Sequence, residues 1–225
     1  MEFRARLKAA PGTLFHWLGS FVFPDACLRC GAIAGRFPLC PACREETLAA
    51  PRPSPAPPPG LSSLHAGLAL TEPVRALIHG IKYQGQRGNA KALVELATAH
   101  GLPLDLPADA ILVPVPLHAA RRRERGYNQS LLLAKAWSSR LGLPVVDALQ
   151  RTRSTGTQTK LTAQERRANL ENALRPSKSF QPGRPCILID DVTTTGSTLS
   201  ACAAVLLKAG ASDVQALTCA WAPAS

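Results

Sequence analysis

Four groups of residues carry functional groups at spacings that do chemistry. The first runs from Cys186 to Leu199 and reads C-I-L-I-D-D-V-T-T-T-G-S-T-L. An apolar run, Ile187 to Ile189, ends in Asp190 and Asp191. Val192, Thr193, Thr194, Thr195, Gly196, Ser197 and Thr198 then lead into an apolar helical pattern. The apolar run reads as a strand buried on both faces, as in a parallel sheet. Residues just past the carboxyl end of such a strand fall where open α/β sheets place ligands. Hydroxyls and unpaired N–H groups at a helix N-terminus suit an anion, and Gly196 lets backbone approach it with no Cβ in the way. Two carboxylates would repel a phosphate unless they faced sugar hydroxyls or a Mg²⁺ ion, both of which they bind. The implied ligand is a phosphorylated sugar. No G-x-x-x-x-G-K-[ST] is present, and no G-x-G-x-x-G precedes a helix.

The second and third groups are basic. Val113 to Gln129, V-P-V-P-L-H-A-A-R-R-R-E-R-G-Y-N-Q, leaves a strand, turns at Pro114 and Pro116, and presents Arg121, Arg122, Arg123 and Arg125. Guanidinium forks grip phosphate oxygens two at a time. Gly126 and Asn128 offer a turn and a helix cap. Arg151 to Asn169 holds Arg151, Arg153, Gln158, Lys160, Arg166 and Arg167 around Ser154 to Thr157. It reads as a mobile basic loop that closes over a pyrophosphate. From Arg121 to Arg175 there are 12 Lys/Arg against 4 Asp/Glu, a net +8 of the chain's formal +11. That block seeks a polyphosphate, a nucleic acid or both. Aromatic residues for base stacking are sparse there, Tyr127 and Trp137 alone. Lys82 and Tyr83 sit at a helix end, where a cation suits the dipole without any catalytic role.

Cysteine supplies the fourth group. Cys27 with Cys30 and Cys40 with Cys43 form two C-x-x-C pairs separated by nine residues, the spacing of a four-thiolate Zn²⁺ site. Disulfides and an iron–sulfur centre are the competing readings; a cytoplasmic chain disfavours the first, and the symmetric knuckles disfavour the second. Four protein ligands leave no open position, so the role is structural, and the metal supplies folding energy on the order of 10 kcal/mol. Cys186, Cys202 and Cys219 lie in apolar patterns and read as buried small hydrophobes.

The elements that must position these groups alternate. Strands are expected at Leu64–Leu70, at Ala110–Val115 and from Cys186, with a last one at Val214–Ala222. Helices are expected at Glu72–Lys82 (Thr71 as N-cap), Asn89–His100, Asn128–Leu141, Thr162–Leu174 and Thr198–Ala209. Such alternation predicts an α/β fold with an open, mostly parallel sheet. Six prolines among Pro51 to Gly60 read as a semi-rigid linker. The expected domains are therefore 1–50 (N-terminal helix and zinc module), 51–60 (linker) and 61–225. No apolar run reaches membrane-span length. Arg4, Arg6 and Lys8 before Leu14 to Phe23 mimic a signal peptide, but His16, Trp17 and Gly19 interrupt the stretch. A cytoplasmic location is expected.

The D-D-V-T-T-T-G loop resembles the phosphoribosyl diphosphate (PRPP) motif of type I phosphoribosyltransferases. The four cysteines, I-K-Y-x-G at Ile81–Gly85, V-P-V-P-L-H-x-x-R-x-x-x-R-G-Y-N-Q and the Arg151, Arg153, Gln158, Arg166, Asn169 pattern extend the likeness over nearly the whole chain. Together they resemble the ComF family, associated with natural competence and use of incoming DNA. The Arg151 to Asn169 pattern and the D-D-V-T-T-T-G loop are also similar to part of glutamine PRPP amidotransferase, although no glutaminase domain is present. The resemblance implies a type I phosphoribosyltransferase fold, a structural zinc, and PRPP bound with Mg²⁺. It implies that Asp190 and Asp191 meet the ribose hydroxyls and that Val192 to Thr198 hold the 5′-phosphate. Leu117, His118, Arg121 and Arg125 would meet the pyrophosphate, and Arg151, Arg153, Gln158 and Arg166 would form the catalytic loop. It leaves the acceptor open. Two non-catalytic readings stand beside it: a PRPP-sensing or single-stranded-DNA-binding factor, and a scaffold whose zinc module docks a competence or DNA-processing protein.

Overall fold

The computed structural model describes residues 26–101, 105–152 and 171–223. The cysteine segment ends in helix α1 (Pro41–Ala49). The rest builds a sheet from β1 (Ser63–Ala69), β2 (Ile111–Pro114), β5 (Cys186–Thr193) and β6 (Val214–Trp221). All pairings in this sheet are parallel, in the order β1-β6-β5-β2. The expected α/β architecture with a parallel sheet is therefore present.

The two sheet faces are covered by different elements, which is why the strands read as continuous apolar runs. Helices α2 (Glu72–Tyr83), α3 (Asn89–Ala99) and α5 (Gln129–Leu141) pack on one face. There Leu77, Ile81, Leu93, Leu133 and Trp137 meet Leu68, Leu112, Ile187, Ile189 and Leu217. Helix α6 (Ser197–Lys208) covers the other, where Leu199, Cys202 and Leu206 meet Val113, Leu188 and Ala216. Cys186, Cys202 and Cys219 are fully buried, as expected of small hydrophobes.

Connectivity decides where a ligand fits. From β5 the chain passes through α6 to β6 on one side. From β2 it passes through α5 to Val145, which bridges Leu112 in parallel on the other side. The direction of winding thus reverses between β2 and β5, on opposite faces of the sheet. A crevice opens at the carboxyl ends of strands flanking such a reversal. Both motif-bearing loops, after Pro114 and after Thr193, start there.

Several local expectations are corrected. The strand expected to stop before the acidic pair runs on through Asp190, Asp191 and Val192 to Thr193, since this stretch keeps pairing with β6 as far as Trp221. Thr71 precedes α2 but its hydroxyl makes no capping bond. The basic turn after Pro116 contains a short helix, α4 (Ala119–Arg125), ended by Gly126 in the left-handed conformation at φ +79°. An antiparallel ribbon of β3 (Leu149–Arg151) and β4 (Leu174–Pro176) was not anticipated. Leu174, expected to close a helix, instead opens β4, because it pairs with Arg151 and is buried against the second core. The remainder of that helix lies largely outside the described residues.

The proline-rich segment lies against the sheet domain. The His100 ring bridges the two: its Nε2 lies 3.0 Å from the Ala50 carbonyl and its Nδ1 3.0 Å from the Gly67 carbonyl, both of which can only accept. At the other end the Ser200 hydroxyl donates to the Pro59 carbonyl, and Leu61 enters the second core.

Candidate functional site

Asp190 and Asp191 occupy consecutive strand positions, so their side chains leave opposite faces of β5. Asp191 continues the Ile187, Ile189 face and is 4% exposed. Its Oδ2 forms an ion pair with Lys82 at the end of α2, and the pair is that oxygen's partner among the described residues. Asp190 is partly exposed; its Oδ1 accepts from the Ser130 hydroxyl at 3.0 Å and from the Asp191 N–H at 2.9 Å. Burial, reinforced by the neighbouring Asp191 carboxylate, pushes Asp190 up to about 8, against those two donors. Two adjacent acids in a poorly hydrated strand end resist carrying two charges.

Ser130 is placed by a cap. Asn128 precedes α5, its Oδ1 accepts from the Ser130 N–H at 3.1 Å, and its Nδ2 donates to the Val115 carbonyl at 3.0 Å. One buried amide thus ties the loop after β2 to the helix whose first turn touches Asp190. That is the helix-capping chemistry expected of Asn128, put to a second use.

The hydroxyl loop is shorter than the motif. Val192 and Thr193 belong to the strand, and Thr193 is buried. Thr194 and Thr195 are exposed, and Gly196 starts α6 at φ +70° with no side chain capping the first turn. Ser197 and Thr198 stand in that turn, whose N–H groups carry the positive end of the helix dipole. Gly196 has a requirement beyond anion approach: a Cβ there would lie 2.6 Å from the Pro58 ring. The proline segment rests on the loop.

After β2, Leu117 and His118 are half-buried, and His118 caps α4 with Nδ1 accepting from the Ala120 N–H at 3.2 Å. Arg121, Arg122 and Arg123 are exposed on α4, and Arg125 donates to Gln129 at 2.6 Å. Arg151 ends β3 and is partly buried, which lowers its pKa. Arg153, Gln158, Lys160, Arg166, Arg167 and Asn169 lie outside the described residues.

Lys82 and Tyr83 carry more of the site than their positions at a helix end conveyed. Lys82 pairs with Asp191 across 109 residues of sequence. Tyr83 and Tyr127 face Arg125 and Arg87 beside a cavity of about 460 Å³. By contrast Trp137, the other aromatic residue of the basic block, is on the buried side of α5 at 1% exposure and is not open to a base. The signal for Lys82 was the I-K-Y-Q-G string; its partner is set only by the packing of α2 on β5.

The four thiols of Cys27, Cys30, Cys40 and Cys43 converge, all sulfurs within 4.8 Å of one another. Cys30 Sγ lies 3.6 Å from Cys40 Sγ and 3.7 Å from Cys43 Sγ. Sulfurs at the corners of a tetrahedron about 2.3 Å from a central zinc are roughly 3.8 Å apart, so the cluster fits that ion. Burial works against the Cys27 thiolate, but N–H groups of Cys30, Cys40 and Arg29 outweigh it and bring the thiol down to about 6. Burial and the neighbouring thiols push Cys43 up to about 12. Leu39, Cys40 and Cys43 join the core cluster that contains α3.

A parallel sheet reversing at its centre, an acidic pair ending one strand and a hydroxyl loop opening a helix define a phosphoribosyltransferase-type protein, here with a four-thiol cluster able to hold zinc. A phosphoribosyl transferase domain model matches residues 128–225. The chain is 34% identical to DNA utilization protein YhgH of Salmonella typhi over 91% of each chain. It is 38% identical to Competence protein F of Haemophilus influenzae over 64% of this chain and 66% of that one. It is 34% identical to Competence protein ComFC of Bacillus subtilis over 48% of this chain and 43% of that one. The chain belongs to the ComF family of competence and DNA-utilization proteins.

Proposed function

We propose that the crevice between β2 and β5 binds PRPP with Mg²⁺ and transfers its phosphoribosyl group to an acceptor in DNA or nucleotide use. The observation that carries this is the conjunction at one strand end: Asp190 and Asp191 in the last residues of β5, followed at once by the Thr194–Gly196 loop and the uncapped first turn of α6. That order matches a sugar with a terminal phosphate, hydroxyls toward the carboxylates and phosphate toward the helix dipole.

In the transfer, the bond from ribose C1 to pyrophosphate breaks with its electron pair leaving on pyrophosphate. A lone pair of the acceptor forms the new C1 bond, and the acceptor gives up a proton. Positive charge grows on the ring and negative charge on the leaving group. Asp190 and Asp191 would stabilise the first; Arg121 and Arg125, with Arg151 from β3, would stabilise the second. The two carboxylates are hard oxygen donors of the kind Mg²⁺ prefers, and bound with PRPP the ion would neutralise pyrophosphate charge. Arg153, Gln158 and Arg166 complete the proposal as a closing loop. The zinc of the cysteine module is structural here, and the location is the cytoplasm; among the described residues no helix is long and apolar enough to cross a membrane.

Titration calorimetry with PRPP and Mg²⁺ tests the reading. Binding is expected, weakened about tenfold or more by Asp191→Asn and by Thr195→Ala. Absence of heat at every Mg²⁺ concentration removes both enzyme and PRPP sensor. Binding with no acceptor-dependent pyrophosphate release across bases, amines and DNA leaves the sensor.

A further inference from the structure

The cavity beside Lys82 has a composition that pyrophosphate does not explain. Lys82, Tyr83, Arg121, Glu124, Arg125 and Tyr127 line a space of about 460 Å³. The volume falls in the range of small-molecule sites, roughly 300–1,000 Å³. Tyr83 is 68% exposed, one of the largest apolar surfaces left to solvent among the described residues. The Arg125 guanidinium carbon stands 5.6 Å from its ring centroid. Arg87, outside the lining, lies 4.6 Å from the centroid of Tyr127, whose hydroxyl donates to the Ile81 carbonyl and fixes the ring. Cations therefore outnumber the single glutamate, and they stand beside π-faces.

Two features of the cavity select a ligand. Guanidinium and ammonium groups recognise phosphate, and an exposed tyrosine next to arginine is a surface on which a planar base stacks. Pyrophosphate uses the cations and has no use for the ring. Lys82 is common to the cavity and to the Asp191 ion pair, so whatever fills the cavity lies next to the carboxylates that would hold the ribose. We propose that this cavity is the acceptor subsite and takes a nucleotide unit, an aromatic base with its phosphate, supplied free or as an unpaired residue of a nucleic-acid strand. The assignment of this ligand as acceptor rests on the transfer reading above; the binding site itself does not.

The test uses the full chain without PRPP. Three probes are titrated: deoxyadenosine monophosphate, deoxyribose 5-phosphate, and a fluorescein-labelled twelve-residue oligothymidylate read by anisotropy. The base-bearing probes are expected to bind at least tenfold more tightly than the sugar phosphate. Tyr83→Ala weakens them about tenfold, as stacking losses do, and Tyr83→Phe restores binding. Arg125→Gln weakens them too and flattens the salt dependence of the oligomer. Binding of the monophosphate identifies a free nucleotide, and binding of the oligomer alone a nucleotide within a strand; either supports the subsite. Equal affinity for deoxyribose 5-phosphate, or binding unchanged by Tyr83→Ala, overturns it. Nucleotide binding in a protein that gives no heat with PRPP keeps the site and removes the transfer reading, whereas PRPP binding with no nucleotide binding does the reverse.

Discussion

The cysteine cluster and the acidic strand end are both small groups of ionisable side chains, yet they are assembled in opposite ways. Cys27 to Cys43 spans 17 residues, and two tight knuckles bring four sulfurs together with little help from the rest of the chain. The strand-end site draws Lys82 from α2, Ser130 from α5, Asp190 and Asp191 from β5 and a Pro58 ring from the segment before β1. Local sites depend on a ligand for their cohesion. Sites gathered across a sheet depend on the core that fixes the sheet, and their side chains must balance one another's charge before any ligand arrives. Lys82 does that for Asp191, while burial and the Asp191 carboxylate raise the pKa of Asp190 and so favour its uncharged form.

The contrast breaks at its strongest point if the cluster holds without metal. Cys40→Ser is expected to lose stoichiometric zinc and to lower the unfolding midpoint by about 10 °C or more, a cost of several kcal/mol in a domain of this size. Elemental analysis with differential scanning calorimetry checks it, and chelator treatment of the unaltered protein should act in the same direction. An unchanged midpoint after full zinc loss would show that packing of Leu39 and Leu48 against the sheet domain holds the module by itself.

A smaller effect is expected at the strand end. Lys82→Met leaves the Asp191 carboxylate buried without its ion partner and should cost about 2 kcal/mol, with Lys82 partly exposed and its charge therefore partly screened. The double change Lys82→Met, Asp191→Asn should recover most of this in urea unfolding. Equal losses in the single and double variants would mean that Lys82 acts through packing alone.

The mildest expectation concerns pH. Burial and the neighbouring Asp191 carboxylate raise the folded pKa of Asp190 above the ordinary carboxylate range, to about 8. The folded state therefore binds the proton more tightly than the unfolded chain does. Its contribution to stability is fully present below pH 4 and is lost as pH rises toward 8, at no more than about 1.4 kcal/mol per pH unit. Urea midpoints of the unaltered protein should fall relative to Asp190→Asn between pH 5 and 8. Parallel profiles would show that Asp190 is ionised throughout.

What could be read in advance follows the same division. The alternation of apolar strands with helical patterns marked β1, β2, β6, the start of β5 and helices α2, α3, α5 and α6 to within a residue or two, but not α4. Asn128 was legible as a cap and Gly126 as a turn because such chemistry is local. The ribbon β3–β4 was not legible: three-residue strands leave no period to detect, and Leu149 and Leu174 become a pair only when both are pressed onto the second core. The reach of β5 through Asp190 and Asp191 was hidden too, since acidic residues read as a strand's end until β6 supplies its hydrogen bonds as far as Trp221.

The amino-acid sequence by itself therefore determined the chemistry present: four thiols at knuckle spacing, an acidic pair before a hydroxyl-glycine turn, a block of arginines, and a parallel α/β frame to carry them. Those are properties of neighbours along the chain, where side-chain type and backbone preference act over a few residues. Tertiary structure decided which groups meet. It set Lys82 against Asp191, turned Tyr83 and Arg125 toward one cavity, buried Trp137, and laid Pro58 on Gly196. Contacts of that kind are fixed by how helices pack on a common sheet, a balance summed over two whole cores that no short stretch of residues contains.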